Sequence, residues 1–157
     1  MPDPYQAGLI ILSHRELSTA QVRDRLARRG FGPTSIETAI QQLQSEGALD
    51  DRRTARSVTH RSAHVSLHGR HRAMRELRKR GISQNISKSI IEEIYSEIDE
   101  HDLSERALAR RLKGPIESPA EMRRLYQYLI RQGFEGSLAQ SILQTHTTQP
   151  EVNEDGI

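Results

Sequence analysis

The chain has 157 residues, of which 34% are hydrophobic and 4% aromatic, and this composition is too lean for one large spherical core. The absence of cysteine excludes disulfides, thiolate zinc sites and a cysteine nucleophile, and it indicates a reducing compartment. The apolar run near the start, from Ala7 to Leu12, is shorter than a signal sequence or a membrane span requires. We therefore expect a cytoplasmic protein.

The net charge of +2 is spread unevenly along the chain. Residues 52 to 80 contain ten arginines and lysines but one acidic residue, whereas the segments on either side are net acidic. On a solvent-exposed surface that is stabilised by its own salt bridges, basic and acidic residues alternate. Because residues 52 to 80 are almost all basic, we favour a surface that contacts a partner over one that only faces solvent. A basic middle between acidic ends predicts a polyanionic partner or an acidic protein surface.

The first third of the chain predicts three helices. Tyr5, Leu9 and Leu12 recur at helical spacing and form the buried stripe of the first helix. The capping boxes "STAQ" at 18 to 21 and "TSIE" at 34 to 37 mark the starts of the second and third helices.

The middle third repeats this organisation. A fourth helix starts at the Asp50–Asp51 pair and has Ala55 and Val65 on its buried side. A fifth helix follows Gly69, and the isoleucines between positions 86 and 98 mark a sixth.

The last third again contains three predicted helices. Apolar residues between 103 and 112 form the seventh, and the capping box "SPAE" at 118 to 121, with Pro119 in the first helical position, starts the eighth. Leu138 and Ile142 mark the ninth. Residues 145 to 157 are polar without an apolar period, so we expect a disordered tail.

One short phrase occurs three times, as "RLARRGF" at 25 to 31, "ELRKRGI" at 76 to 82 and "YLIRQGF" at 128 to 134. The glycine is suited to the left-handed position that ends a helix in the Schellman motif. In this motif the apolar residue after the glycine packs against the leucine that lies four positions before the glycine. The predicted apolar pairs are Leu26 with Phe31, Leu77 with Ile82, and Leu129 with Phe134.

These signals together predict an all-α protein without strands, an elongated array of three tandem three-helix repeats containing nine helices. The predicted boundaries are residues 1–49, 50–98 (the basic repeat) and 99–144, followed by the disordered tail at 145–157.

The basic residues of the middle repeat are the candidate interaction surface. On a helical wheel, Arg72, Arg75 and Lys79 lie opposite the inward-facing Ala73 and Leu77 of the fifth helix. The candidate partner- or DNA-binding residues are Arg53, Arg56, Arg61, Arg70, Arg72, Arg75, Arg78 and Lys79.

Metal and enzyme chemistry find little support. His60, His64 and His68 are spaced like zinc ligands on one helix, but arginines surround them, so we interpret them as members of the outward basic face. The chain has no glycine-rich phosphate loop, nucleophile elbow or HExxH motif. We therefore predict no catalytic residue, no metal and no cofactor.

A sequence-specific DNA-binding protein of the helix-turn-helix type is a serious alternative. Each helix–glycine–helix pair has the same order of elements as that motif. The second helices begin with "TSIETAIQ", "QNISKSII" and "GSLAQSIL", which carry no arginine in the first turn. Gln84, Asn85 and Gln140 could contact bases, yet the arginines lie on other helices. Contact with a nucleic-acid backbone or a protein is favoured over sequence-specific reading.

The motifs "LSTAQVRDRLARRGF", "IETAIQQLQSEGALDD", "HGRHRAMRELRKRGIS" with "IIEEI", and "RRLYQYLIRQGF" resemble the RecX family over roughly residues 5 to 144. This resemblance implies a non-enzymatic fold of tandem three-helix repeats that lies in the groove of the RecA–DNA filament, bridges protomers and limits RecA activity in recombination and repair. The chain departs from the family pattern at Thr54, where an aromatic is usual, and at Gly69–Arg70, where Gly-Pro is usual.

The expected partners are therefore the RecA filament and single- or double-stranded DNA, with no membrane contact and a monomeric chain. Two alternatives stay open from the sequence. One is a low-specificity DNA-binding helical protein that acts independently of RecA. The other is a helical scaffold for a different protein, whose basic face only keeps it soluble.

Overall fold

The computed structural model describes residues 3 to 148, which form nine α-helices as the sequence predicts. Between these limits the only β-type pairing is an isolated parallel bridge between Ile116 and Thr147. The helices are α1 (Pro4–His14), α2 (Thr19–Arg28), α3 (Pro33–Ser45), α4 (Asp51–His64), α5 (Arg70–Lys79), α6 (Gln84–Tyr95), α7 (Glu100–Ala109), α8 (Pro119–Arg131) and α9 (Gly136–Thr145).

The three repeated phrases end α2, α5 and α8 in the predicted way. Their glycines have left-handed φ angles, which are +91° at Gly30, +73° at Gly81 and +99° at Gly133. The amides that follow donate to the predicted carbonyls over 3.1 to 3.3 Å, from Phe31 to Leu26, from Ile82 to Leu77 and from Phe134 to Leu129. The phrase is thus a local helix stop, confirmed in all three copies.

The predicted helix starts are correct where a serine provides the cap. Ser18 forms a complete capping box at α2, and the hydroxyl of Ser118 accepts from the backbone of α8. The predicted start at Thr34 is wrong. With Thr34 as N-cap the first helical residue would be Ser35, but helix α3 begins two residues earlier, at Pro33, because proline in the first helical position already has a helical φ and has no N–H to satisfy.

The helices contact one another mainly within three trios: the first trio (α1–α3), the second trio (α4–α6) and the third trio (α7–α9). Their buried side chains form two separate hydrophobic cores. One core belongs to the first trio and centres on Leu26 and Leu43. The other runs through both the second and third trios and includes Leu77, Tyr95 and Leu129.

The second and third trios meet through their backbones. The amide of Gly69 donates to the carbonyl of Gln132 over 2.8 Å, and that of His71 donates to Gly133 over 3.1 Å. A Cβ on Gly69 would lie 2.5 Å from the carbonyl oxygen of Gly133, so only glycine permits this approach.

The first and second trios meet through polar groups instead. The carboxylate of Asp51 at the start of α4 accepts from the backbone N–H of Thr19 over 2.7 Å and from its hydroxyl over 3.0 Å. The hydroxyl of Ser18 donates to the carbonyl of Arg80, and that of Thr54 to the carbonyl of Leu17. The buried apolar clusters on the two sides of this polar joint are separate.

Replacement of Asp51 by alanine should destabilise the protein by roughly 2 kcal/mol, because the partly buried amide of Thr19 would lose its charged acceptor. Urea unfolding followed by circular dichroism measures this loss. Asp24→Ala is the matched control, since its exposed pair with Arg28 contributes about 0.5 kcal/mol or less. Equal effects of the two substitutions would contradict a structural role for Asp51.

Three details differ from the sequence-based expectation. Leu9, expected in the buried stripe of the first helix, is 38% exposed, because Ala7, Gly8 and Ile11 form the buried side of α1. Val65 is 64% exposed rather than buried, because α4 ends at His64 and the chain turns away through Leu67, whose φ is +56°. At the start of the expected tail, Ile116 donates to the carbonyl of His146 and accepts from the amide of Thr148. The rest of that tail, from residue 149, lies outside the described residues.

No helix within residues 3–148 is long and apolar enough to cross a membrane.

Candidate interaction surface

Four of the eight predicted basic residues are paired with carboxylates elsewhere in the fold. Their guanidinium groups lie 2.8 to 3.9 Å from acidic oxygens, in the pairs Arg53–Glu16, Arg56–Glu93, Arg70–Glu100 and Arg72–Glu76. Arg70 also lies 3.7 Å from Glu92. Three of these partners, Glu16, Glu93 and Glu100, come from outside residues 52 to 80, so a charge count along that segment could not reveal them.

Arg75 binds the end of another helix. Its guanidinium donates to the carbonyl of Arg131 over 3.1 Å, at the last residue of α8. Arg72, in addition to Glu76, donates to the side chain of Gln132 over 3.2 Å. Both arginines therefore help to hold the second trio against the third.

Arg61 and Lys79 lie in a groove of about 810 Å³ between the first and second trios. Arg15, at the end of α1, and Arg80, at the end of α5, line the same groove. Within residues 3–148, the side chains of these four cations make no ion pair and no hydrogen bond. Their charges face solvent inside one concave space.

The two carboxylates that line this groove already have partners. Glu16 accepts from Arg53 over 2.8 Å, and Glu76 lies 3.2 Å from the ring of His68 and 3.9 Å from Arg72. Because their charge is offset elsewhere, the four cations dominate the potential in the groove.

Two further cavities lie beside the groove and share lining residues with it or with each other. One of about 490 Å³ shares Glu76 and Lys79 with the groove and also contains Arg72, Arg75 and Arg131. The next, of about 440 Å³, shares Arg131 and is lined by Arg111 and Arg124, with the guanidinium of Arg111 4.6 Å from the ring centre of Tyr128. Seven cations along this path have neither a carboxylate partner nor a side-chain hydrogen bond within residues 3–148, and we call them the basic track: Arg15, Arg61, Lys79, Arg80, Arg111, Arg124 and Arg131.

Arg78 lies away from the basic track. It lines a separate cavity of about 310 Å³ together with Met74, Ile82 and Gln84. The adjacent residue Lys79 faces the track, because successive residues of a helix point about 100° apart. The structure therefore divides the eight predicted residues among ion pairs, helix contacts and two different cavities.

The sequence analysis missed five members of the basic track, which are Arg15, Arg80, Arg111, Arg124 and Arg131. One signal for Arg131 was present. Lys79 and Arg131 both stand two residues before the glycine of the repeated phrase, so superposing the second and third repeats would have placed them at equivalent positions. No comparable signal marks Arg15, whose position depends on how the first trio sits against the second.

The three histidines do not share one face. The rings of His60 and His64 lie 4.3 Å apart on the exposed side of α4, whereas His68 is 8% exposed beyond the end of that helix. The interpretation of His68 as an outward residue is wrong, because the left-handed turn at Leu67 directs it inward. Among residues 3–148, no group of three histidine, cysteine or acidic side chains could hold a metal ion.

Burial lowers the pKa of His68, and the charges of Arg72 and Arg110 lower it further, against an opposing effect of Glu76. The folded protein therefore binds a proton at His68 more weakly than the unfolded chain does. Stability should fall as pH drops below the ordinary pKa of 6.5, since protonation then favours unfolding.

Urea unfolding at pH 7.5 and 5.5 measures this effect. His68→Asn should lose less stability between these two pH values than the parent protein, because it removes the titrating ring. His60→Asn, at an exposed position, should behave like the parent. An unchanged pH dependence in His68→Asn would show that other groups cause the loss.

Both departures from the family pattern have a structural consequence. Thr54 is buried at the joint between the first and second trios, where its hydroxyl donates to the carbonyl of Leu17 over 3.4 Å. Arg70 occupies the first position of α5, which proline favours, and instead pairs with Glu100.

The fold and its surface define a class, that of all-α repeat proteins built from three-helix units with a basic path across them. The family model for the first three-helix domain of RecX matches residues 5–43. The regulatory protein RecX of Syntrophotalea carbinolica is 30% identical over 138 residues, which cover 84% of this chain and 88% of that protein. The RecX of Pelodictyon phaeoclathratiforme is 31% identical over 144 residues, or 90% and 88% of the two chains. This chain belongs to the RecX family.

A solved structure agrees with the fold. The crystal structure of RecX from Lactobacillus salivarius superposes with a TM-score of 0.75 at 22% identity, covering 90% of this chain and 93% of that one. The order of helices and the arrangement of the three trios are thus those of a known RecX.

Proposed function

We propose that the protein is a non-enzymatic regulator that binds the RecA–DNA filament in the cytoplasm and inhibits RecA activity in recombination and DNA repair. Membership of a family of regulatory proteins supports the class of function. The observation that carries the proposal is the basic track, whose cations lie in three neighbouring cavities and come from all three trios.

A track of this kind suits a polymeric partner. Each exposed cation contributes little by itself, but several contacts along one surface add, and binding at one trio raises the effective concentration of the next. A helical filament of protein and DNA presents repeated acidic groups along its length, so a long shallow surface can follow it. No deep catalytic pocket is needed for this action.

Paired and unpaired cations have different roles in this proposal. Arg53 and Arg70 join neighbouring trios through Glu16 and Glu100, whereas Arg56 and Arg72 have their carboxylate partners inside the second trio. The cations of the basic track carry the contact with the filament, with Arg61 and Lys79 as its predicted members from the middle repeat.

The test is the ATPase and strand-exchange activity of RecA on single-stranded DNA with increasing amounts of the protein. Inhibition should appear below one molecule per RecA protomer, because one bound monomer bridges neighbouring protomers. The Asp24→Ala protein should inhibit equally and serves as a folded control. If RecA activity is unchanged when this protein and RecA are present at equal concentrations, the proposal is refuted.

A further inference from the structure

The joint between the first and second trios has two notable features: its contacts are polar, and a groove opens beside them. The hydrophobic cores on its two sides are separate, so polar contacts hold the first trio to the second. The groove of about 810 Å³ opens at this same joint and is walled by residues of both trios.

The cations in the groove come from both sides. Arg15 belongs to the first trio, whereas Arg61, Lys79 and Arg80 belong to the second. These like charges repel one another across the joint, and none of them pairs with a carboxylate of residues 3–148, although two carboxylates with other partners also line the groove. An anion in the groove would remove this repulsion and would bind both trios at once.

The lining indicates the chemistry of that anion. Around the cations stand hydrogen-bonding side chains, among them Gln21, Ser57 and His14, and the only large apolar residue in the lining is Val58. A peptide that docks on a protein normally anchors apolar side chains, for which this groove has little to offer. Phosphate groups need the charges and donors that are present.

The continuity of the basic track indicates a strand rather than an isolated phosphate. The groove shares Lys79 with the neighbouring cavity that contains Arg131, so cations recur beyond the groove itself. A single nucleic-acid strand carries phosphates at such repeated intervals, and a positively charged groove that follows the backbone is the usual kind of site for one.

We infer that the groove between the first and second trios binds the phosphates of a single nucleic-acid strand, and that this binding fixes the first trio against the rest of the molecule. The inference deepens the proposed function, on which it rests for its biological setting: the strand in a recombinase filament would be the ligand. The groove itself is testable without the recombinase.

The cysteine-free sequence allows a direct measurement. Exposed Ser35 in α3 and exposed Ser141 in α9 can be replaced by cysteine and spin-labelled, and the distance between the labels can be measured by pulsed electron paramagnetic resonance. Because the second and third trios share one core, this distance reports the position of the first trio. A single-stranded oligothymidylate of 15 nucleotides is the probe, and it should narrow the distance distribution.

Two matched variants test the groove. Arg15→Glu/Arg61→Glu removes one cation from each wall, and Arg25→Glu/Arg78→Glu makes the same charge change at two exposed sites outside it. The first variant should bind the oligonucleotide at least tenfold more weakly and leave the distances broad. The second should bind within about twofold of the parent and narrow the distances as the parent does.

Each other outcome is decisive. Oligonucleotide binding without narrowing would overturn the coupling between groove and joint, and equal weakening by both variants would overturn the groove as the site. If a poly-glutamate peptide at the same charge concentration binds as tightly and narrows the distances, the ligand is an acidic protein segment instead. If the oligonucleotide does not bind but RecA is still inhibited, the inference fails and the proposed function stands.

Discussion

Gly133→Ala should destabilise the protein by about 3 to 4 kcal/mol and lower its main melting temperature by about 10 °C. Two effects add at this position. The φ of +99° is strained for any residue with a Cβ, and an added Cβ would lie 2.4 Å from the backbone nitrogen of Arg72. Since that nitrogen belongs to the first turn of α5, the clash cannot be relieved without moving the second trio away from the third.

The repeated phrase provides a matched control. Gly30 occupies the equivalent position in the first repeat with a similar φ of +91°, but an added Cβ there meets nothing within 4 Å. Gly30→Ala should therefore cost only the backbone strain, about 1 kcal/mol. Thermal and urea unfolding of the two variants measure the difference. Equal losses would show that the close approach of Gly133 to Arg72 contributes nothing to stability.

The Lys79→Glu/Arg131→Glu protein should need at least tenfold more protein than the parent for half-inhibition of RecA. These two residues link the three cavities, since Lys79 is shared by the groove and the cavity beside it, and Arg131 by that cavity and the next. A tenfold change corresponds to about 1.4 kcal/mol, which is modest for reversing two charges in one contact surface.

Arg29→Glu/Arg78→Glu is the control for this prediction. It makes the same change in net charge at two exposed residues, also within the repeated phrases, that do not line the basic track. It should inhibit RecA within about twofold of the parent, apart from the effect of net charge on association rate. If the two variants lose inhibition equally, total charge rather than the basic track determines binding.

The helices could be predicted because their signals are local. The glycine of each repeated phrase, the serines at 18 and 118 and the apolar stripes all act within one or two helical turns, so the sequence alone reveals them. Thr34 failed as a cap because a neighbouring residue, Pro33, provided a stronger local signal. Val65 and His68 were misplaced because the chain turns at Leu67, a non-glycine residue with positive φ that no sequence rule would select.

The site was only partly predictable, because ion pairs form between distant segments. Arg56 and Glu93 are 37 positions apart, and Arg70 and Glu100 are 30 positions apart, yet each pair is in contact. A helical wheel correctly grouped Arg72, Arg75 and Lys79, which share a cavity. It could not find Arg15 or Arg124, which reach the same surface only through the packing of different trios.

The division of the apolar interior into two cores affects how the chain unfolds. The first trio spans fewer than fifty residues, a size at which one core alone gives little stability, and its hydrogen bonds to the remainder are few. Its amides should exchange with solvent through an opening less costly than global unfolding, and proteases should cut there first. Any ligand that binds the first trio in its folded position would then slow proteolysis of the whole molecule. The rate at which the protein is degraded would therefore depend on the fraction of molecules that carry the ligand.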